Sequence, residues 1–362
     1  MTMSACSARL AMSSDVAAST AIICDSAVVH GNSGAEPADD LSVRFARPIQ
    51  GARYLNRATR LALLAVDQLG LLRTASHARA EQLGVVAATF GAHFEHSRGQ
   101  ITELLTRERP LVSPMLGPNS IPSSVSSCLS IYLDAQAFTL TFCDCGTAGI
   151  EALAFAARAV ASGRARSVVV VGVESRPVDL ERALFGHASG APPDEAYAIL
   201  VGDHETWSSC CSGRMLSVVA QARRFSGAHD VDARRVALRR CFLQVVERAR
   251  KLDVPVDLLL GNMRQLALDV TPNDLFTLAP GWRDAHWLDD CRCHPGLQCT
   301  AGLAHVAALH ELSRTGKSPE ALVTLRCGSR ALDQLRGAII VNAASDGTIA
   351  CTLLSSDAGP TP

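Results

Sequence analysis

The 362 residues carry 34 basic and 35 acidic side chains, a formal charge of −1, with 48% hydrophobic content. That balance excludes a chain drawn as a whole to nucleic acid or to an anionic membrane, and the apolar share supports a large core built from one large or two medium α/β units. Thirteen cysteines, an odd number scattered through the chain, argue against a disulfide framework and for reduced thiols in a cytoplasmic setting.

The first 24 residues hold no basic leader and Asp15 interrupts their apolar stretches, so neither a secretory signal nor an anchor is expected. Strand-like runs follow at 21–24 and 27–30. Leu55, Ala58, Leu61, Ala62, Ala65 and Leu69 recur at intervals of three and four, which predicts an amphipathic helix facing a core and ended by Gly70. The run Gly84-Val-Val-Ala-Ala-Thr-Phe-Gly91 is too brief for a helix and reads as a buried strand. A polar helix is expected over 93–109, then an irregular segment with Pro114, Gly117, Pro118 and Pro122, and a helix from near Ser123.

Phe138-Thr-Leu-Thr-Phe142 alternates as a strand, 143–146 turns, 147–162 is an Ala-rich helix, and 167–173 is a second buried strand; the longest apolar run of the chain, around 168–171, is far short of the roughly 20 residues of a membrane span. Beyond Asp203 the pattern partly repeats. Strands are expected at 215–220, 257–260, 322–326, 338–341 and 348–354, and helices at 231–252 and 301–312, with an irregular Pro- and Trp-containing region between. Two α/β halves, 1–205 and 206–362, account most simply for that order.

Cys143 sits between a strand end and a helix start. Unpaired backbone N–H groups and the positive helix end there favour a thiolate and can stabilise a thioester oxyanion, yet spacing alone equally allows a small buried hydrophobe. Gly146 would let a substrate approach the backbone.

Thr141-Phe-Cys-Asp-Cys-Gly-Thr147 resembles the Thr-x-Cys-x-Ser-Gly-Thr nucleophile loop of the β-ketoacyl-acyl-carrier-protein synthases, condensing enzymes of the thiolase-fold superfamily. The segment 114–122 is similar to that family's Pro- and Asn-containing loop, 167–174 to its strand ending in Gly-x-Glu, and 185–203 to a degraded form of the segment leading into its Glu-Gly-Ala-Gly strand. The resemblance implies a layered α-β-α-β-α core, an acyl group taken from an acyl carrier protein onto Cys143, and dimerisation with itself or with a related synthase. No cofactor and no metal are expected.

Two histidines of the family support decarboxylation of a malonyl thioester. The first position falls near Asn262 in Gly-Asn-Met-Arg264; the second falls on Gly296, with His294 two residues earlier as a displaced donor. The family lysine has no counterpart, and Ala344-Ser-Asp-Gly347 replaces the Gly-Phe-Gly-Gly turn. These losses put condensation in doubt, while acyl transfer through a thioester needs only a thiolate, an oxyanion hole and access for the carrier arm. The candidate catalytic residues are therefore Cys143, His294 and Asn262. A non-catalytic partner subunit of the chain-length-factor kind is the competing reading.

Cys291, Cys293, His294 and Cys299 are metal-ligand types, but their spacing matches no paired motif and they read as loop residues of the cleft. Arg234, Arg235, Arg239, Arg240, Arg248, Arg250 and Lys251 form either a solvated helix face or a dock for an acidic carrier protein. Trp282 and Trp287 are read as packing or as a substrate lid, and His93 and His96 as surface residues. No glycine-rich phosphate loop appears, so no nucleotide is expected.

Overall fold

A computed structural model describes residues 21–31, 49, 51, 54–70, 80–108, 114–144, 146–175, 194–210, 214–227, 230–261, 272–282, 285–289, 299–315, 335–344 and 346–356. The strands are β1 (Ile22–Gly31), β2 (Leu83–Ala88), β3 (Phe138–Phe142), β4 (Ser167–Glu174), β5 (Asp194–Gly202), β6 (Leu216–Phe225), β7 (Leu258–Gly261), β8 (His286–Asp289), β9 (Gly337–Ala343) and β10 (Thr348–Ser355). The helices are α1 (Arg57–Asp67), α2 (Phe94–Thr106), α3 (Ser124–Leu133), α4 (Ala148–Ala161), α5 (His204–Cys210), α6 (Val231–Lys251), α7 (Pro272–Phe276) and α8 (Ala301–Thr315).

The strands join in the order β3-β2-β4-β5-β1-β6-β10-β9-β7-β8. β2 runs parallel to β3 and β4, and β5 is antiparallel to β4 and β1. β7 likewise runs parallel to β8 and β9, and β10 is antiparallel to β9 and β6. The first five strands and the last five thus follow one plan, meeting where Ile22 pairs with Ser217 and Ile23 with Leu216.

Alternation along the strands builds the layers. Val169, Val171 and Val173 of β4 pack with Leu61 and Ala65 of α1 and Leu129 of α3, whereas Val168 and Val170 face Leu153 of α4 and Leu303 of α8. Ile340 of β9 joins that same middle cluster, while Ile339 and Val341 pack outward against Phe242 and Val246 of α6. Helices α1 and α3, the strands β1–β5, α4 with α8, the strands β6–β10 and α6 form five layers. Strands covered on both faces read as continuous apolar runs, which is why 168–171 shows no polar alternation.

The middle layer is tight. A Cβ on Gly302 of α8 would lie 2.1 Å from Ile150 Cγ1 of α4 and 2.9 Å from Asn342 Oδ1 of β9. Only glycine lets the two central helices approach this closely.

Several expectations shift. The two runs expected at 21–24 and 27–30 are one strand, with a register break between Ile23 and Asp25 that the bulged Cys24 occupies. β8 and α7 lie in the stretch expected to be irregular, and α5 was not expected. The strand expected at 322–326 lies outside the described residues. His93 and His96 are half-buried rather than on the surface, and burial lowers both imidazoles below the ordinary histidine value. Among the described residues no helix is long and apolar enough to cross a membrane.

Candidate functional site around Cys143

Cys143 leaves the end of β3 and its thiol is exposed, not packed as a core hydrophobe. The neighbouring strand ends gather at the same edge of the sheet: Thr89 N donates to Phe142 O at 3.0 Å, and Phe90 N donates to the buried carboxylate Oε1 of Glu174 at 2.9 Å. Carboxyl ends of parallel strands are the usual place for a ligand crevice in such sheets.

The turn after Cys143 is held from the second half of the fold. Gly146 has φ +98°, and a Cβ there would stand 2.7 Å from Ala343 O and 3.0 Å from Ala344 Cα. Positive φ and close backbone approach both demand glycine at this position. Gly149 N, in the first turn of α4, donates to Cys299 O at 3.1 Å. That N–H therefore serves the contact between α4 and the residue pair before α8 instead of an oxyanion.

Thr147 precedes α4. Its Oγ1 lies 3.0 Å from Asp144 Oδ2 and 2.8 Å from Glu151 Oε1, and Arg223 Nε of β6 lies 3.0 Å from the same Glu151 oxygen. Burial raises the Glu151 carboxyl above the ordinary range; the Thr147 hydrogen bond and Arg223 oppose the rise, and Asp144 and Asp346 add to it. Asp346 is the residue that stands in the 344–347 turn, and it accepts from Thr348 N at 2.7 Å and Thr348 Oγ1 at 2.8 Å. The start of α4 thus gathers three carboxyl groups, Asp144, Glu151 and Asp346, with Arg223, a grouping the single motif 141–147 did not reveal.

A second polar group sits on the inner face of β4 and β5, where Glu174 and Glu195 are cross-strand partners. Glu195 accepts from Tyr197 Oη at 3.1 Å and from Thr300 Oγ1. Cys299 is buried, with Sγ 3.4 Å from Ala88 O and 3.8 Å from Val173 O, so its thiol reaches the ends of β2 and β4. Asn342 is fully buried, and neither amide atom has a hydrogen-bond partner among the described residues.

Of the sequence candidates only Cys143 is placed; Asn262 and His294, with Cys291 and Cys293, lie outside the described residues. Among the described residues no three His, Cys, Asp or Glu side chains group as a metal site. Trp282 packs edge-on against Phe242, ring centroids 6.1 Å apart, in the outer cluster of the second half. It lines a cleft with Arg250, Asp253 and Arg336, beside the start of β9. The 343–344 contact is at the other end of that strand, about 20 Å away at the usual rise per residue, so this cleft is separate from Cys143.

Residues 38–198 match the family described as Beta-ketoacyl synthase, N-terminal domain. No curated protein matches the chain. Among solved structures, "The ishigamide ketosynthase/chain length factor" is similar with a TM-score of 0.67 and 19% identity, covering 93% of this chain and 99% of that one. A type II PKS acyl-carrier protein in complex with its ketosynthase gives a TM-score of 0.67 at 13% identity, covering 93% and 99%. An oxazolomycin ketosynthase domain of Streptomyces albus JA3453 gives 0.58 at 18% identity, covering 86% of this chain and 61% of that one. Over 38–198 the chain is thus similar to the synthase N-terminal domain, and along most of its length it shares the thiolase-like fold of these ketosynthase structures.

Proposed function

We propose that the protein accepts an acyl group from an acyl carrier protein onto Cys143 and passes it on, in fatty-acid or polyketide biosynthesis within the cytoplasm. The exposed thiol at the β3–α4 turn carries this reading. In the reaction the Cys143 thiolate attacks the thioester carbonyl, backbone N–H groups of the turn receive the oxyanion, and the carrier thiolate leaves with the proton of the Cys143 thiol. Asn262 and His294 remain candidate donors to the acyl carbonyl. The family's two histidine positions fall at Asn262 and Gly296, so transfer without decarboxylative condensation is the step proposed.

The carrier would dock on α6. Arg235, Arg239 and Arg240 are exposed there, while Leu238, Phe242 and Val245 of the same helix are buried. Such a stripe attracts an acidic partner and loses that attraction with salt.

A second reading rests on a different surface, that of a chain-length-factor-like partner of an active ketosynthase. β3 is the terminal strand of the sheet, and exposed Leu140 on it is accompanied by exposed Ile131 of α3, Met115 and Ile121 of the preceding loop, and Ile101, Leu104 and Leu105 of α2. An unpaired edge with that much apolar surface suits pairing with a second subunit, a copy of this chain or a related synthase.

Incubating the native chain and Cys143→Ala with a panel of acyl-carrier thioesters and weighing the intact proteins separates the readings. An acyl adduct on the native chain that the variant lacks supports acyl transfer. No adduct from any donor, with a co-purifying synthase that needs this chain for activity, overturns it in favour of the partner subunit.

A further inference from the structure

The cleft beside Trp282, in the outer part of the second half and away from Cys143, holds about 330 Å³. That is room for one small molecule, near the lower end of the range of ligand pockets. Part of its lining is apolar: Val254 and Val256 are buried, Pro255 is half-buried, and the half-buried Trp282 ring is fixed edge-on against Phe242. Another part is an ion pair whose charges cancel. Arg336 donates to the Asp257 carboxylate from Nη2 at 2.7 Å, from Nε at 3.3 Å and from its backbone N–H at 2.8 Å.

The remaining two charges of the cleft do not meet. Arg250, in the last turn of α6, and Asp253, two residues past the helix, are exposed and line the same small space, yet neither side chain has an ion pair or hydrogen bond with the other or with any further described residue. Asp253 N donates to Arg250 O at 3.2 Å, and Asp253 has φ +52°, the left-handed conformation in which chains leaving a helix usually place Gly or Asn. Its carboxylate therefore stands at the negative end of α6, where a cation is favoured and an anion is not.

We propose that this cleft binds a free α-amino acid with an aromatic side chain, its carboxylate on the Arg250 guanidinium, its ammonium on the Asp253 carboxylate and its ring against Trp282. A guanidinium receives a carboxylate through two parallel hydrogen bonds, and contacts between ionised partners are the stronger kind. A simple anion would gain Arg250 but meet Asp253, and a simple cation would gain Asp253 but meet Arg250. Only a molecule carrying both charges satisfies both groups. The site shares no residue with the acyl-transfer reading and does not depend on it.

The test is a ligand-observed NMR titration of the intact chain with L-phenylalanine and with two molecules that each lack one charge, 3-phenylpropionate and 2-phenylethylamine. L-Phenylalanine should bind about tenfold more tightly than either, the gain expected of one further charge-assisted contact. Arg250→Gln should weaken L-phenylalanine by about tenfold without weakening the amine, and Asp253→Asn should weaken it by about the same factor without weakening the acid. Both side chains are exposed and Asn is tolerated in left-handed backbone, so neither change removes a core contact. No binding of L-phenylalanine up to about 10 mM, an acid or amine that binds as tightly as the amino acid, or variants that bind it as the native chain does would each overturn the proposal. No acyl donor enters the titration, so its failure leaves the transfer reading as it stands.

Discussion

Gly146 concentrates the physical demands on the turn after Cys143. Its φ of +98° lies where L side chains are strained, and the space a Cβ needs is already held by Ala343 O. Gly146→Ala should therefore displace the turn from the 343–344 backbone, lowering stability by about 1–3 kcal/mol and changing the alkylation rate of Cys143 more than that of Cys128. Equal changes at both thiols would show a general loosening instead. Cys143 and Gly146 were legible in the sequence because nucleophile, turn and helix start are consecutive residues. The Thr147 bridge was half legible, since Thr147 and Glu151 are four apart on one helix face. Arg223 and Asp346 were not, because they come from β6 and the β9–β10 turn and meet the helix only once the two halves close on the middle layer.

Two helix starts are fixed by a capping side chain. Asp230 caps α6, its Oδ1 accepting from Asp232 N at 2.9 Å and Ala233 N at 3.0 Å, and Asn56 caps α1, accepting from Thr59 N at 2.7 Å. Asp230→Ala should cost about 1 kcal/mol, read as a lowered denaturant midpoint with an unchanged slope. Strand β8 escaped the sequence reading because four residues between a proline- and tryptophan-rich stretch and a cysteine cluster carry too little periodicity; only pairing with β7 defines them. The bulge at Cys24 escaped for the related reason that register belongs to two strands.

Helix α8 carries a buried histidine into the middle layer, and its consequence is a pH dependence. His310 Nδ1 lies 2.8 Å from Ser26 Oγ of β1, and burial lowers the imidazole below its ordinary value near 6.5, Asp25 and Glu311 opposing and Arg314 assisting. A base whose folded value is depressed binds its proton more readily when unfolded, so stability is full above the unfolded value and falls as pH drops through about 6.5 toward the folded one. The loss is at most about 1.4 kcal/mol per pH unit for one proton. His310→Gln should flatten the decline between about pH 7.5 and about pH 5.5 in denaturant titrations, leaving the smaller slope of His93 and His96, which have the same sign. An unaltered slope would place the titrating group elsewhere.

At the scale of the molecule, most of the order of strands and helices was legible, β8, α5 and α7 excepted, while the layering was not, because a fully buried run such as 168–171 does not say which helix covers which face. The two five-strand units share one plan without visible sequence repetition, and we propose the boundary near residue 205 between them, just after β5 closes the first. Their arrangement leaves β3 at one end of the ten strands. An edge strand with an apolar flank is a hazard for an isolated chain, since its free backbone groups and exposed Leu140 and Ile131 invite pairing with any similar edge. The pairing proposed above would remove the hazard by burying strand and flank together. Leu140→Lys combined with Ile131→Glu should thus convert a dimer into a monomer in sedimentation velocity, with little change in thermal midpoint because neither side chain supports the core of its own chain. Retention of the dimer would move the interface to another surface. A native chain that is monomeric until an active ketosynthase is added, and no longer binds it once both residues are changed, would assign the edge to a heterodimer and shift the balance from acyl transfer toward the partner subunit.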